Sequence, residues 1–184
     1  TYVRFPGKNE VYRMQGSFRF NFDRSTKSLR DKTIIKTEVE GVKTATFGQG
    51  PNALVLEKIG EGKELSVKPV GKEIKNFDAP KATGVLRTLV NLNALDFADG
   101  DLSEEILGFT GPEAFTVFVD AEEEGKPYQA TLTLGNKFED KAQVYVKSSL
   151  SDQVFIIAEY TANRLRAKAE DFVKAEEENK PKDK

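Results

Sequence analysis

Apolar residues change their spacing along the chain, and the changes mark out the elements. Thr44 and Thr46, then Leu54 and Leu56, alternate on either side of Gly48-Gln49-Gly50-Pro51-Asn52, which predicts a hairpin with a Gly-rich loop. A third short strand, Glu64 to Lys68, follows the Gly60-Glu61-Gly62 turn. From Asp78 the period becomes helical: Val85, Leu89 and Leu92 lie at i, i+4 and i+7, and Leu86 and Val90 widen the stripe. Asp78 supplies the N-cap and Pro80 suits the first turn. Phe115, Val117, Val119 and Tyr128, Ala130, Leu132, Leu134 are two period-2 runs flanking the acidic loop Asp120 to Lys126, closed by Gly125; they predict a long hairpin. Val144, Val146 and Val154, Ile156 supply two more strands, and Tyr160 to Val173 is expected as a final helix with Leu165, Ala169 and Phe172 on one face. The residues after it turn charged and include Pro181, so 175–184 is expected to be a disordered tail.

The two ends of the chain resemble each other. Tyr2-Val3-Arg4 and then Val11-Tyr12 recur as Tyr145-Val146-Lys147 and then Val154-Phe155, at a constant offset of 143 positions. Each pair encloses a polar turn, Pro6-Gly7-Lys8-Asn9 in the first and Ser148 to Asp152 in the second. Both then enter a polar stretch with spaced apolar residues, ending near Arg30-Asp31-Lys32 and Glu170-Asp171-Phe172. This predicts a repeated hairpin-helix unit, with residues 1–35 the C-terminal part of a preceding repeat unit and 38–174 one complete unit. The expected fold class is α+β: mainly antiparallel sheet of seven or more strands with two to four helices. The chain opens at Thr1 directly into strand-like Tyr2-Val3-Arg4-Phe5, without Met or a leader pattern, as expected of a fragment.

Composition removes most chemistry. Across 184 residues there is no Cys and no His, which excludes disulfides, thiolate metal sites, Cys nucleophiles and the commonest general base. With 28 Lys+Arg against 30 Asp+Glu the net charge is −2, so the chain is no polycation. Gly48-Gln49-Gly50 lacks both a following helix and a Lys-Ser/Thr pair, and therefore reads as a hairpin turn and not a phosphate loop. Asp96, Asp99, Asp101, Glu104 and Glu105 gather carboxylates at a density a calcium site wants, but not at EF-hand spacing. Asp101-Leu102-Ser103-Glu104 reads instead as a capping box with Asp101 as the cap. A carboxylate pair within this stretch is the remaining enzyme candidate. Glu122, Glu123 and Glu124 read as a solvated hairpin tip. Arg19, Arg24, Lys27, Arg30 and Lys32 interleave with Phe18, Phe20 and Phe22, a mixture that single-strand nucleic-acid binding uses. Phe18 and Phe22 at i, i+4 fit the buried side of a helix, so core packing is the expectation, with a strand as the alternative that their alternation with Phe20 leaves open. No catalytic, cofactor-binding or metal-binding residue is assigned, and no nucleic-acid partner is expected.

The order of elements and several short signatures resemble the bacterial domain-of-unknown-function family 4340 over nearly the whole chain. The likeness is carried by Leu65-Ser66-Val67-Lys68-Pro69-Val70, the stretch Asp78 to Leu95, Leu107-Gly108-Phe109 with Gly111-Pro112, Thr131-Leu132-Thr133-Leu134-Gly135, and Leu29-Arg30-Asp31-Lys32. These are turns and core positions, so they transfer a fold and no mechanism. Without His or Cys, and with no spacing that brings other catalytic groups together, the chain is expected to be non-catalytic. The resemblance implies a membrane-anchored envelope protein with repeated units exposed outside the inner membrane, in some cases encoded beside ABC-transporter components of the gliding-motility auxiliary type. On that basis the chain is expected to be an extracytoplasmic or periplasmic scaffold with protein partners in the cell envelope. The alternatives are a periplasmic small-ligand-binding domain and, behind it, a carboxylate-based hydrolase.

Overall fold

The computed structural model describes residues 1–16, 26–100, 102–138 and 141–174. The chain divides into two units, Thr1–Asp31 and Lys32–Lys184. Thr33–Lys36, just past this division, is a strand that pairs within the second unit.

The first unit contains an antiparallel hairpin, β1 (Tyr2–Val3) and β2 (Tyr12–Arg13), and a 3-10 turn at Thr26–Leu29. The Lys8 amide closes the hairpin turn onto the Phe5 carbonyl at 3.1 Å, and the Met14 amide extends the ladder to the Thr1 carbonyl at 2.8 Å. Phe18, Phe20, Phe22, Arg19 and Arg24 lie outside the described residues, so the helix-or-strand alternative for that stretch lies there too.

The second unit opens with β3 (Thr33–Lys36), β4 (Val42–Phe47), β5 (Leu54–Ile59) and β6 (Ser66–Val70). Helix α1 (Ala79–Val90) follows, then β7 (Asn91–Asn93), β8 (Asp96–Phe97) and the one-turn helix α2 (Glu104–Leu107). The chain continues through β9 (Phe115–Glu123), β10 (Lys126–Lys137), β11 (Gln143–Ser148), β12 (Ser151–Ala158) and helix α3 (Glu159–Leu165). Eight strands form one antiparallel sheet in the order β6-β5-β4-β9-β10-β11-β12-β8, and β3 pairs separately with β7. The α+β expectation is met, with three α-helices and one large antiparallel sheet among the described residues. Among the described residues no helix is long and apolar enough to cross a membrane.

One face of the sheet is inward. Ala45, Phe47, Leu54, Leu56, Val117, Val119, Leu132, Leu134, Val146 and Phe155 are buried there, in one cluster with Ala82, Val85, Leu86 and Leu89 of α1 and Leu165 of α3. Helix α1 forms as its spacing predicts: the Asp78 side chain accepts the Lys81 amide hydrogen at 3.1 Å, and the apolar stripe faces β6, β3 and α3. It ends earlier than the stretch Asp78 to Leu95 suggested. Asn91 leaves the helical region, and β3 recruits Asn91–Asn93 as a strand, which buries Leu92 and leaves Leu95 exposed.

Three further expectations are corrected. The third strand begins at Ser66 and not Glu64, because Gly62–Glu64 forms a 3-10 turn; it continues through Pro69 to Val70 on the sheet edge, where a missing N–H is tolerated. The final helix is two pieces: α3 stops at Leu165, and a 3-10 turn at Ala169–Phe172 starts afresh where the Asp171 carboxylate accepts the Lys168 amide hydrogen at 2.8 Å. Ser151 and Asp152 belong to β12, so the second hairpin turns tightly at Ser149-Leu150.

The repeat holds in register as well as in sequence. Tyr2 faces Arg13 and Val3 faces Tyr12 in the first hairpin; Tyr145 faces Ile156 and Val146 faces Phe155 in the second, each pair displaced by the same 143 positions. The 3-10 turns at Thr26–Leu29 and Ala169–Phe172 keep that offset.

Candidate interaction surface

Strand alternation puts the other half of each strand's side chains on the outward face. Reading the register from one edge, Val70 lies beside Val55, Val55 beside Thr46, Thr46 beside Phe118 and Phe118 beside Thr131. These five residues form a row without charge across β6, β5, β4, β9 and β10, about 19 Å long at the usual strand spacing. Val70 is exposed and the other four are half-buried. The sequence pattern grouped Thr44 and Thr46 with Leu54 and Leu56; the register separates them, since Ala45 and Phe47 point inward and the two threonines outward.

Charged side chains border this row. On one side Thr44 lies beside Glu57, Glu57 beside Lys68, and Lys68 pairs with Glu57 at 2.9 Å; Gln129 donates to Asp120 at 3.1 Å. Further along, Lys43 pairs with Glu122 at 2.9 Å, and that hydrogen bond and charge hold the Lys43 ammonium above its ordinary pKa. On the other side Thr116 lies beside Thr133 and Thr133 beside Lys147, which pairs with Glu104 of α2. That ion pair places α2 on the outward side. Its close seat depends on Gly135, where a Cβ would run into the Leu107 carbonyl oxygen, and the Asn136 side-chain amide donates to the Ile106 carbonyl at 3.0 Å. Among the described residues, α2 lies over the outward face toward β11 and not over the row on β6, β5, β4 and β9. An apolar and hydroxyl band inside a charged border is the composition of an interface core with its rim.

The acidic stretch is spread over several elements. Asp96 sits in β8, Asp99 in the loop after it, Glu104 and Glu105 in the first turn of α2, and Asp101 lies outside the described residues. The helix cap is Ser103 and not Asp101: the Ser103 hydroxyl accepts the Ile106 amide hydrogen at 3.3 Å, and Glu104 reaches Lys147 instead of back to a cap. Among the described residues no group of three or more Asp, Glu, His or Cys could hold a metal ion. The acidic tip Glu122-Glu123 ends β9, and Lys32 donates to the Leu95 carbonyl.

Several hollows open on the second unit. One of about 520 Å³, beside the Gly48-Gln49-Gly50 turn, is lined by Gln49, Lys72, Phe115, Thr116, Lys168 and Glu170. The turn is tethered to β9 by the Gly48 amide donating to the Thr116 carbonyl at 2.8 Å and by Gln49 donating to the Thr116 hydroxyl. Another of about 640 Å³ lies beside the Phe138 and Tyr145 rings, tilted by 36° with centroids 4.3 Å apart, where Arg166 donates to the Gly135 carbonyl at 2.7 Å.

An antiparallel sheet with α1 and α3 on one side, α2 beside an uncharged band on the other, and a hairpin repeated in register defines an α+β repeat protein with a sheet-face surface. The family model described as a domain of unknown function, DUF4340, matches residues 1–108 and again 105–179, and the chain belongs to that family. No curated protein and no solved structure matches it in the corresponding comparisons.

Proposed function

We propose that the chain is a non-catalytic interaction module of a cell-envelope protein, which scaffolds or contacts a transporter-associated complex on the extracytoplasmic side of the inner membrane. The observation that carries the reading is the uncharged row Val70, Val55, Thr46, Phe118 and Thr131, open on the outward face between ion pairs. Charge is depleted where a partner would be desolvated and gathered where it would stay wet. The envelope placement and the link to an ABC transporter rest on what the family resemblance implies.

The test is affinity capture of the full-length protein from membranes, comparing the native sequence with Val55→Glu, whose half-buried outward position should tolerate the change. Envelope transport components recovered with the native protein and reduced about 10-fold or more by Val55→Glu are the expected result. Recovery of cytosolic or nucleic-acid-associated partners only, or capture that ignores the substitution, overturns it.

The hollow of about 520 Å³ favours a second reading, a small-ligand-binding domain, because Lys72, Lys168, Glu170 and Gln49 offer polar groups beside the Phe115 ring. A thermal-shift screen of small polar metabolites against the purified chain, with Lys168→Ala as control, separates the two.

A further inference from the structure

The repeated hairpins differ in what lies over them. Tyr12 is 48% exposed and its counterpart Phe155 is 2%; Met14 is 41% and Ile157 is 1%; Leu29 is 68% and Phe172 is 1%. Three apolar side chains in the first unit thus stand in water at positions that the second unit buries.

The second unit shows what does the burying. Strand β11 pairs with β10 along Leu132 and Leu134, and β12 pairs with β8, where Phe97 lies opposite Phe155 with ring centroids 5.6 Å apart. Phe172 meets the Phe77 ring at 6.1 Å, and its carbonyl accepts the Asp78 amide hydrogen at 2.7 Å, at the entrance to α1. Among the described residues, no third strand pairs with either edge of β1–β2. An open two-stranded ribbon with an apolar side is a template for further pairing.

The chain order says where the missing strands stand. In the second unit the sheet is laid down first, from β4 onward, and β11–β12 joins it last. By the same connectivity, the sheet that β1–β2 would close precedes it. We infer that Thr1–Asp31 is the closing segment of a preceding copy of this fold, and that a β10-like strand, a β8-like strand and a helix entrance from that copy, carried earlier in the same polypeptide, cover Val3, Tyr12, Met14 and Leu29. This rests on the repeat and not on the proposed function, so either stands if the other falls.

The absence of cysteine makes the test clean. Met14→Cys, placed singly in the full-length polypeptide and in the 184-residue chain, is labelled with a thiol reagent under native conditions. Labelling in the 184-residue chain should run near the rate of an unfolded peptide, and in the purified full-length polypeptide about 100-fold slower at every protein concentration. Amide exchange at Val3 and Tyr12 of the unsubstituted proteins gives the same comparison without a variant. Equal rates in the two proteins overturn the inference, and so does protection that disappears on dilution, since the cover would then come from another molecule.

Discussion

Two hairpins share one register in this molecule and have different surroundings. In β1–β2 the local devices are all present: the turn closed from Lys8 to Phe5, the ladder carried on to Thr1, and the Phe5 and Tyr12 rings edge to face at 6.1 Å. In β11–β12 the same register is flanked by β10 and β8, and the Ser149 amide donates to the Thr131 carbonyl at 2.9 Å. Local hydrogen bonding therefore sets which residues face each other, while burial sets how much the pairing is worth. A two-stranded ribbon alone is marginal in water, and a ribbon inside an eight-stranded sheet is part of a core.

The largest expected difference is between equivalent truncations. Phe155→Ala should destabilise the 184-residue chain by about 3–5 kcal/mol in urea unfolding. Tyr12→Ala at the matching position should stay within about 0.5 kcal/mol. Equal losses would break the comparison, because they would show that the first hairpin is already covered.

Cover on the outward side of the second hairpin gives the next effect. Gly135→Ala drives a methyl group into the Leu107 carbonyl and the Phe109 ring, so α2 must shift; a loss of about 1–3 kcal/mol is expected. The measurement is again urea unfolding, with Lys147→Ala as a milder control that breaks only the surface pair to Glu104 and should cost at most about 1 kcal/mol.

Burial also has a fault that sharpens the contrast. The Thr37 hydroxyl is buried without a hydrogen-bond partner, beside an amide that donates to the Val90 carbonyl at 3.0 Å. Thr37→Val keeps the shape and removes the orphan, so the thermal midpoint should rise with about 1 kcal/mol of added stability. An unchanged or lower midpoint would show that the hydroxyl is satisfied.

The smallest effect is at high pH. Burial raises the Tyr128 pKa above 10.0, against a hydrogen bond with the Lys36 backbone that lowers it. A raised folded value means that the neutral phenol's contribution is complete below pH 10.0 and is lost as pH climbs through the folded value. The difference in urea midpoint between the native chain and Tyr128→Phe should be flat from neutral pH to about 9 and change only above 10. A difference that already moves below pH 9 would contradict it.

Much of this was legible in the sequence because it is local. The period-2 runs gave β9 and β10, the helical stripe gave α1 with its Asp78 cap, and the spacing shared by Tyr2 and Tyr145 gave the repeat. What stayed hidden depends on distant partners. Strands β3, β7 and β8 have two to four residues, too few to show a period, and exist because other segments pair with them. Leu92 fits both the helical stripe and a strand, and only β3 decides between them. The open row was invisible for a related reason: alternation says that Thr46, Val55 and Phe118 share a parity within their own strands, but only cross-strand register lays them side by side. The cap moved from Asp101 to Ser103 because both residue types suit the role, and composition cannot choose between caps two residues apart.

Amide hydrogen exchange on the 184-residue chain, read residue by residue, tests most directly the claim that one hairpin occurs twice with unlike cover. The amides of Val146 and Phe155 should exchange only through global unfolding, while those of Val3 and Tyr12 exchange orders of magnitude faster. Comparable protection at the two pairs of positions would contradict it.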